Sequence, residues 1–205
     1  MSTLLRLVLL ILAAAALTAA ARPSIGRADS GIVMERTASV PILMYHRIRP
    51  LPPDGMVKSI MTFSVHPSDF EAQMRWLLAR GYTPIALAEL DDYLRCGEPL
   101  PEKPIVITFD DGWADQFGNA LPVLRTLDIP AEFFICPGRI GQEGYMTWEQ
   151  VRALAAAGMG VNAHSLTHPH LDEIPLDAAQ REIEQSRLII EEEIDRPAPY
   201  FAYPY

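Results

Sequence analysis

Eight residues constrain this chain more than any others: Ile105-Val106-Ile107-Thr108-Phe109-Asp110-Asp111-Gly112. An unbroken β-branched and apolar run suits a strand buried on both faces, as in a parallel sheet covered by helices. In such sheets the chemistry gathers at the carboxyl ends of the strands, where the two aspartates fall. Consecutive side chains in a strand point to opposite faces. Both carboxylates can meet at one site only if the strand breaks there, and Gly112 permits the break. Asp-Asp-Gly is also ordinary turn chemistry, and this stretch alone does not decide between the two.

With 205 residues, 49% of them apolar, the chain can bury one substantial core. Its net charge of −9 disfavours nucleic acid or another polyanion as partner. Arg6, the apolar run Leu7 to Leu17 and the small residues Ala19-Ala20-Ala21 have the order of an export signal, giving a signal over residues 1–21. The run is shorter than the roughly 20 residues of a spanning helix. No stable membrane insertion is therefore expected once the signal is cleaved, and the protein is expected to be periplasmic or extracellular. Residues 22–38 read as a linker and 39–205 as the folded domain. Two cysteines in an exported chain raise the question of a disulfide, but nothing in the spacing pairs them. Cys136 is expected buried and Cys96 near the surface, as separate thiols.

Along the domain, strand and helix alternate. Val40 to His46 reads as a first strand and 47–66 as a long loop. Ser68-Asp69-Phe70-Glu71 reads as a capping box opening a helix through Met74, Leu77 and Leu78 to Gly81. Strands are expected at 82–86, 104–109, 131–136, 159–163 and 200–203. Helices are expected at 87–94, 114–127, from the Thr147 cap to Gly158, and at 176–194 on Ile183, Leu188, Ile190 and Ile194. Six alternations with short connections predict a parallel α/β fold, barrel or open sheet, with fewer strands than the eight of a closed barrel.

His164-Ser165-Leu166-Thr167-His168 follows the strand 159–163, at the same carboxyl end as the aspartates. Two imidazoles four residues apart beside a carboxylate can hold a metal while leaving positions open for water and substrate. A second carboxylate can then take a proton from a metal-activated water, which points to amide or ester hydrolysis. Spacing does not say which aspartate does which. A glycosidase would use the aspartates as acid and base, but neighbouring residues flank a glycosidic bond poorly and the histidines go unused. An iron-oxygenase triad leaves the second aspartate idle.

Thr108-Phe109-Asp110-Asp111-Gly112 and His164-Ser165-Leu166-Thr167-His168, in this order, resemble the polysaccharide deacetylase (NodB-homology) family. Pro41-Ile42-Leu43-Met44-Tyr45-His46 and the segment 70–90 resemble its branch acting on exported polymers of N-acetylglucosamine. The resemblance implies a distorted (β/α) barrel and removal of acetyl groups from an N-acetylated polysaccharide. It further implies Asp110 as catalytic base, with Asp111, His164 and His168 as ligands of a divalent metal, usually zinc. The family's Arg-x-Pro-Tyr-Gly motif meets Ala202-Tyr203-Pro204-Tyr205 here, alanine standing where arginine is expected. The backbone N–H of Tyr205 would help hold the oxyanion. The chain stops before the Leu-x-His motif that carries the family's general acid, so it reads as C-terminally truncated, with an incomplete barrel. His46, His66 and His170 are candidates for that acid by residue type alone.

Trp113 is a candidate for stacking on a sugar in the substrate site, and Trp148 reads as core. Glu191-Glu192-Glu193 reads as a solvated helix face. The competing non-enzymatic function is a carbohydrate-binding or wall-associated fragment that keeps the pocket without the acid.

Overall fold

The computed structural model describes residues 36–50 and 63–205. The expected signal and most of the expected linker lie outside the described residues. The strands are β1 (Ile42–Tyr45), β2 (Arg47–Ile48), β3 (Ser64–Val65), β4 (Thr83–Pro84), β5 (Pro104–Asp111), β6 (Glu132–Ile135) and β7 (Gly160–Ala163). The helices are α1 (Pro67–Ala79), α2 (Leu87–Cys96), α3 (Leu121–Thr126), α4 (Trp148–Ala156) and α5 (Leu176–Ile194).

The expected parallel α/β architecture is present. The main sheet runs β1-β5-β6-β7, with β4 pairing the first two residues of β5, and all of its ladders are parallel. Beyond β7 a single parallel bridge, Ala163 to Phe201, extends it. Among the described residues the sheet curves as part of a barrel without closing.

Alternation along β5 divides two layers. Ile105, Ile107 and Phe109 face the helices and join a core with Phe70, Met74 and Leu77 of α1 and Val151 and Leu154 of α4. At its centre Phe109 stacks on Phe133 with ring centroids 4.7 Å apart, and Tyr45 and Phe70 pack around it. Thr108 and Asp110 point the other way, toward the inside of the curved sheet. Ile42 and Met44, in register with Val106 and Thr108, share that inner face and are 52% and 62% exposed.

Several expected boundaries shift for local reasons. The cap of α1 is His66, whose side chain accepts from the Ser68 N–H, rather than the predicted Ser68 box. Pro67 occupies the first helical position, where its fixed φ and missing N–H are harmless. Glu71, freed from capping, pairs with Arg75 at 2.7 Å. The predicted helix 114–127 contains a π-turn over Gln116–Ala120 before α3. Pro122 has no N–H for the carbonyl four residues back, and the Leu121 N–H instead reaches Gln116. The strand expected at 82–86 shortens to Thr83–Pro84, with the Thr83 and Ile85 N–H groups donating to Lys103 O and Ile105 O, each at 2.9 Å. That at 200–203 shrinks to the one bridge, bracketed by Pro199 and Pro204. Within the loop expected at 47–66, β2 and β3 form a short parallel pair. Leu188, expected on the buried stripe of α5, is exposed, and Ser186 takes the inward position beside Ile190. Trp148 packs against the core as expected. The acids of 191–193 are partly committed: Glu191 accepts from the Ala198 N–H and Glu193 pairs with Arg152 at 2.6 Å.

Glu132, at the start of β6, is buried on the inner face. It accepts from the Leu87 N–H at 3.0 Å and from Asn162 Nδ2 at 2.7 Å, while Asn162 Oδ1 accepts from the Tyr200 N–H at 3.2 Å. This chain of bonds ties the start of α2, β6, β7 and the terminal segment together. Room for it exists because residue 160 is glycine: a Cβ there would overlap Glu132 Oε2. Gly160→Ala must therefore displace a buried, hydrogen-bonded carboxylate, and a loss of about 1–3 kcal/mol is expected in denaturant unfolding. Burial raises the Glu132 pKa above its ordinary value, against the pull of its two hydrogen bonds. A raised carboxyl pKa means the folded state holds the proton longer, so this contribution falls as pH rises through the folded pKa. The stability deficit of Glu132→Gln relative to the parent should accordingly be largest in acid and shrink toward neutral pH, measured by urea midpoints across that range.

Candidate metal centre

The end of β5 solves the problem of two adjacent side chains in one strand. Asp110 keeps the inward direction of the strand, and Asp111 takes a left-handed backbone with φ 78°, followed by Gly112 at φ 84°. For a residue with a side chain that conformation is uncommon. It turns the second carboxylate toward the carboxyl end of β7, where the strand runs out at Ala163 and His164 begins the histidine loop.

That loop is not a helical turn. Ser165 and His168 have φ of 58° and 68°, and Ser165 Oγ accepts from the His168 N–H at 2.9 Å. Thr167 donates from both its N–H and hydroxyl to Glu182 of α5, each at 2.8 Å, and Leu166 O accepts from the Gly138 N–H. The loop is thus pinned from two sides.

Asp111, His164 and His168 each offer a ligand atom, all within 4.8 Å of one another. Asp111 Oδ1 lies 3.1 Å from His168 Nε2 and 3.7 Å from His164 Nε2. His164 Nδ1 lies 3.0 Å from Ala202 O. As a donor to that carbonyl, the imidazole leaves Nε2 to the cluster, the tautomer that metal binding requires. Burial lowers the His164 pKa to about 4, so the ring is neutral and available as a ligand. For Asp111, burial favours the neutral acid but is outweighed by His168, the Trp113 N–H and His164, and the pKa falls to about 2. An ionised carboxylate with two imidazoles, and an Asp111 Oδ1 left without a properly formed hydrogen bond, is a donor set that fits a divalent cation.

Asp110 differs. Its carboxyl is buried, and Oδ1 has no hydrogen-bond partner among the described residues. Burial first, and the negative charge of Asp111 second, raise its pKa to about 7. Gln116 Nε2 donates to the carbonyls of both Asp110 and His46, fastening the ends of β5 and β1 to each other.

A pocket of about 560 Å³ opens over these groups, lined among others by Met44, His46, Arg49, Trp113 and Tyr205. All six of the residues singled out from the sequence meet here. Trp113 comes through its edge: its indole N–H donates to Asp111 Oδ2 at 2.8 Å, while Tyr145 stacks on the ring. Tyr205 stacks on His170 and meets His168 edge-on. Of the three histidines without a role, His46 lines the pocket, His66 caps α1 and His170 supports Tyr205. Both cysteines are free, Cys136 buried and Cys96 exposed, as expected. Burial pushes the Cys136 thiol up to about 12, and it donates to His164 O at 3.0 Å.

Sequence reasoning passed over Arg139, whose guanidinium lies 3.9 Å from Asp111 Oδ1. Its place just after β6, at the same carboxyl end, was the available signal. The Ala202 carbonyl carried no signal, because a backbone acceptor has no residue type.

The polysaccharide deacetylase family profile matches residues 97–205. The chain belongs to that family. It is similar to the protein YxkH of Bacillus subtilis, 30% identical over 173 residues, covering 84% of this chain and 59% of that protein. It is also similar to the poly-β-1,6-N-acetyl-D-glucosamine N-deacetylase of Escherichia coli K12, 34% identical over 107 residues, 45% of this chain and 16% of that protein. Among solved structures, the deacetylase PplD of Streptococcus pyogenes in complex with acetate superposes with a TM-score of 0.73 at 26% identity, covering 80% of this chain and 73% of that one. IcaB from Ammonifex degensii does so with 0.69 at 26%, covering 81% and 74%. The chain thus spans less than two thirds of the two curated relatives, and the neighbours carry the distorted-barrel fold that the open sheet follows.

Removing one ligand should abolish binding rather than tune it. In titrations with cobalt(II), Asp111→Ala and His164→Ala should each lose more than the about 10–100-fold in affinity typical of outer contacts. Parental affinity in either variant would remove that residue from the ligand set.

Proposed function

We propose that this protein hydrolyses N-acetyl groups from a polysaccharide containing N-acetylglucosamine, with zinc held by Asp111, His164 and His168. The observation that carries the reading is the pairing of two unlike carboxylates: Asp111, ionised among imidazoles, beside a buried Asp110 whose Oδ1 has no hydrogen-bond partner among the described residues. Family membership and the activity named for the Escherichia coli and Staphylococcus aureus relatives support the substrate class.

When bound, the metal would supply Lewis acidity at the amide carbonyl and lower the pKa of a nearby water. Asp110, which lines the pocket, is the base that takes the proton from the attacking water. His164 and His168 are the nitrogen donors, the former held in register by Ala202 O. The Tyr205 amide is the proposed donor to the developing oxyanion. The exposed apolar side chains of Met44 and Phe63 at the rim suit the apolar face of a sugar. Export to the periplasm or exterior, after cleavage at about residue 21, fits such a substrate; no described helix is long and apolar enough to cross a membrane. A glycosidase is disfavoured because Asp111 is engaged by His168 and Trp113 rather than free to flank a glycosidic bond.

The test is acetate release from oligomers of β-1,6-linked N-acetylglucosamine by the zinc-loaded protein. Asp110→Asn should lower the rate by about 10²–10⁴-fold, as for loss of a general base, with zinc affinity retained. No acetate from a folded, zinc-bound parent would favour the carbohydrate-binding reading instead.

A further inference from the structure

Trp113 is the residue on the site whose surroundings exceed what sugar contact needs. Its ring is held as one layer of a stack. The Arg47 guanidinium carbon lies 4.1 Å from the ring centroid, and Tyr145 stacks at 4.1 Å with 20° between planes. Arg139 then lies 5.7 Å from the Tyr145 ring centroid and donates to the Tyr145 hydroxyl at 3.1 Å. Arg47 is itself fixed by Asp115 at 2.6 Å. The backbone repeats the clamp. Trp113 and Tyr145 form an antiparallel bridge, the Ala114 N–H donates to Gly144 O, and the Met146 N–H donates to Gly112 O, both at 2.9 Å. An indole so held has little freedom to tilt, and its N–H meets Asp111 Oδ2 at 2.8 Å.

The consequence falls on the other carboxylate oxygen. Of the side-chain contacts to the Asp111 carboxylate, the indole N–H at 2.8 Å is closer than His168 Nε2 at 3.1 Å or Arg139 Nη1 at 3.9 Å. With Oδ2 held by the indole, Oδ1 is the atom that faces His168 Nε2 and His164 Nε2.

We propose that Trp113, clamped between Arg47 and Tyr145, is a positioning residue that orients Asp111 so that a single oxygen is presented to the cation. This rests on the reading of Asp111, His164 and His168 as the ligand set. Hydrogen bonds from outside the ligand shell fix ligand orientation, and their loss typically weakens metal affinity by about 10–100-fold. The stack makes the effect depend on Tyr145, whose ring meets the indole at 4.1 Å.

The experiment is cobalt(II) titration, read by affinity and by the visible absorption of the bound ion, with melting temperatures alongside. Trp113→Phe keeps a ring in the stack but has no N–H. Its cobalt affinity should fall by about 10–100-fold with an altered visible spectrum and a melting temperature close to the parent's. Tyr145→Leu, which removes the stacked face, should weaken cobalt several-fold, while Tyr145→Phe should restore the parental value. Parental affinity and spectrum in a folded Trp113→Phe would overturn the proposal. Should that variant not fold, equal affinities in Tyr145→Leu and Tyr145→Phe would overturn it instead. A folded parent that binds no cobalt would overturn the ligand set itself, and the inference with it.

Discussion

A strand cannot present two consecutive side chains to one point, and this site depends on how β5 escapes that rule. Asp110 leaves the strand in its regular direction, and Asp111 reaches the same pocket because its backbone turns left-handed. Strain of this kind persists only where the surroundings hold it. Here they do: the Met146 N–H donates to Gly112 O, and the Trp113 N–H donates to the Asp111 carboxyl. A polar turn with the same three residues and no such neighbours would be free to relax.

The inner face of the sheet also bears an unusual load of buried carboxylates. Glu132, Asp110 and Asp111 all lie on or at the end of adjacent strands, and each is managed differently. Glu132 is given two donors and becomes a structural tie. Asp111 is given imidazoles and an indole N–H, and stays ionised. Asp110 Oδ1 has no hydrogen-bond partner among the described residues, and burial, then the Asp111 charge, drives its proton affinity up. A buried charge without partners is costly, and a structure that holds all three in one layer does so by separating their environments. The family's arginine is absent at position 202, and the carbonyl there serves His164 instead.

The elements of the fold were largely legible because helix and strand periodicities are local. The buried run of β5, the Thr147 cap of α4 and the histidine loop after β7 all lie where the residue pattern puts them. The errors cluster at prolines and at caps. His66 displaces Ser68, Pro122 follows a π-turn, and Pro199 and Pro204 bracket the lone bridge at Phe201. In each case a missing N–H or an unforeseen acceptor decides the hydrogen bonding, and that is a matter of partners rather than of pattern. Leu188 fails for a related reason: which stripe of α5 turns inward is settled by what it packs against.

The chemistry available was already written in the residues: two aspartates at a strand end, two histidines four residues apart, and the parallel strands that carry both to one edge. Those follow from residue identity, alternation and the order of elements along the chain. What distinguishes the two aspartates came from packing alone. Asp111 and Asp110 are the same residue in adjacent positions, and nothing local separates them. Imidazoles from β7's loop, an indole braced by Arg47 and Tyr145, and the burial of Asp110 arrive from distant parts of the chain, and protonation responds to that surrounding dielectric and charge rather than to sequence.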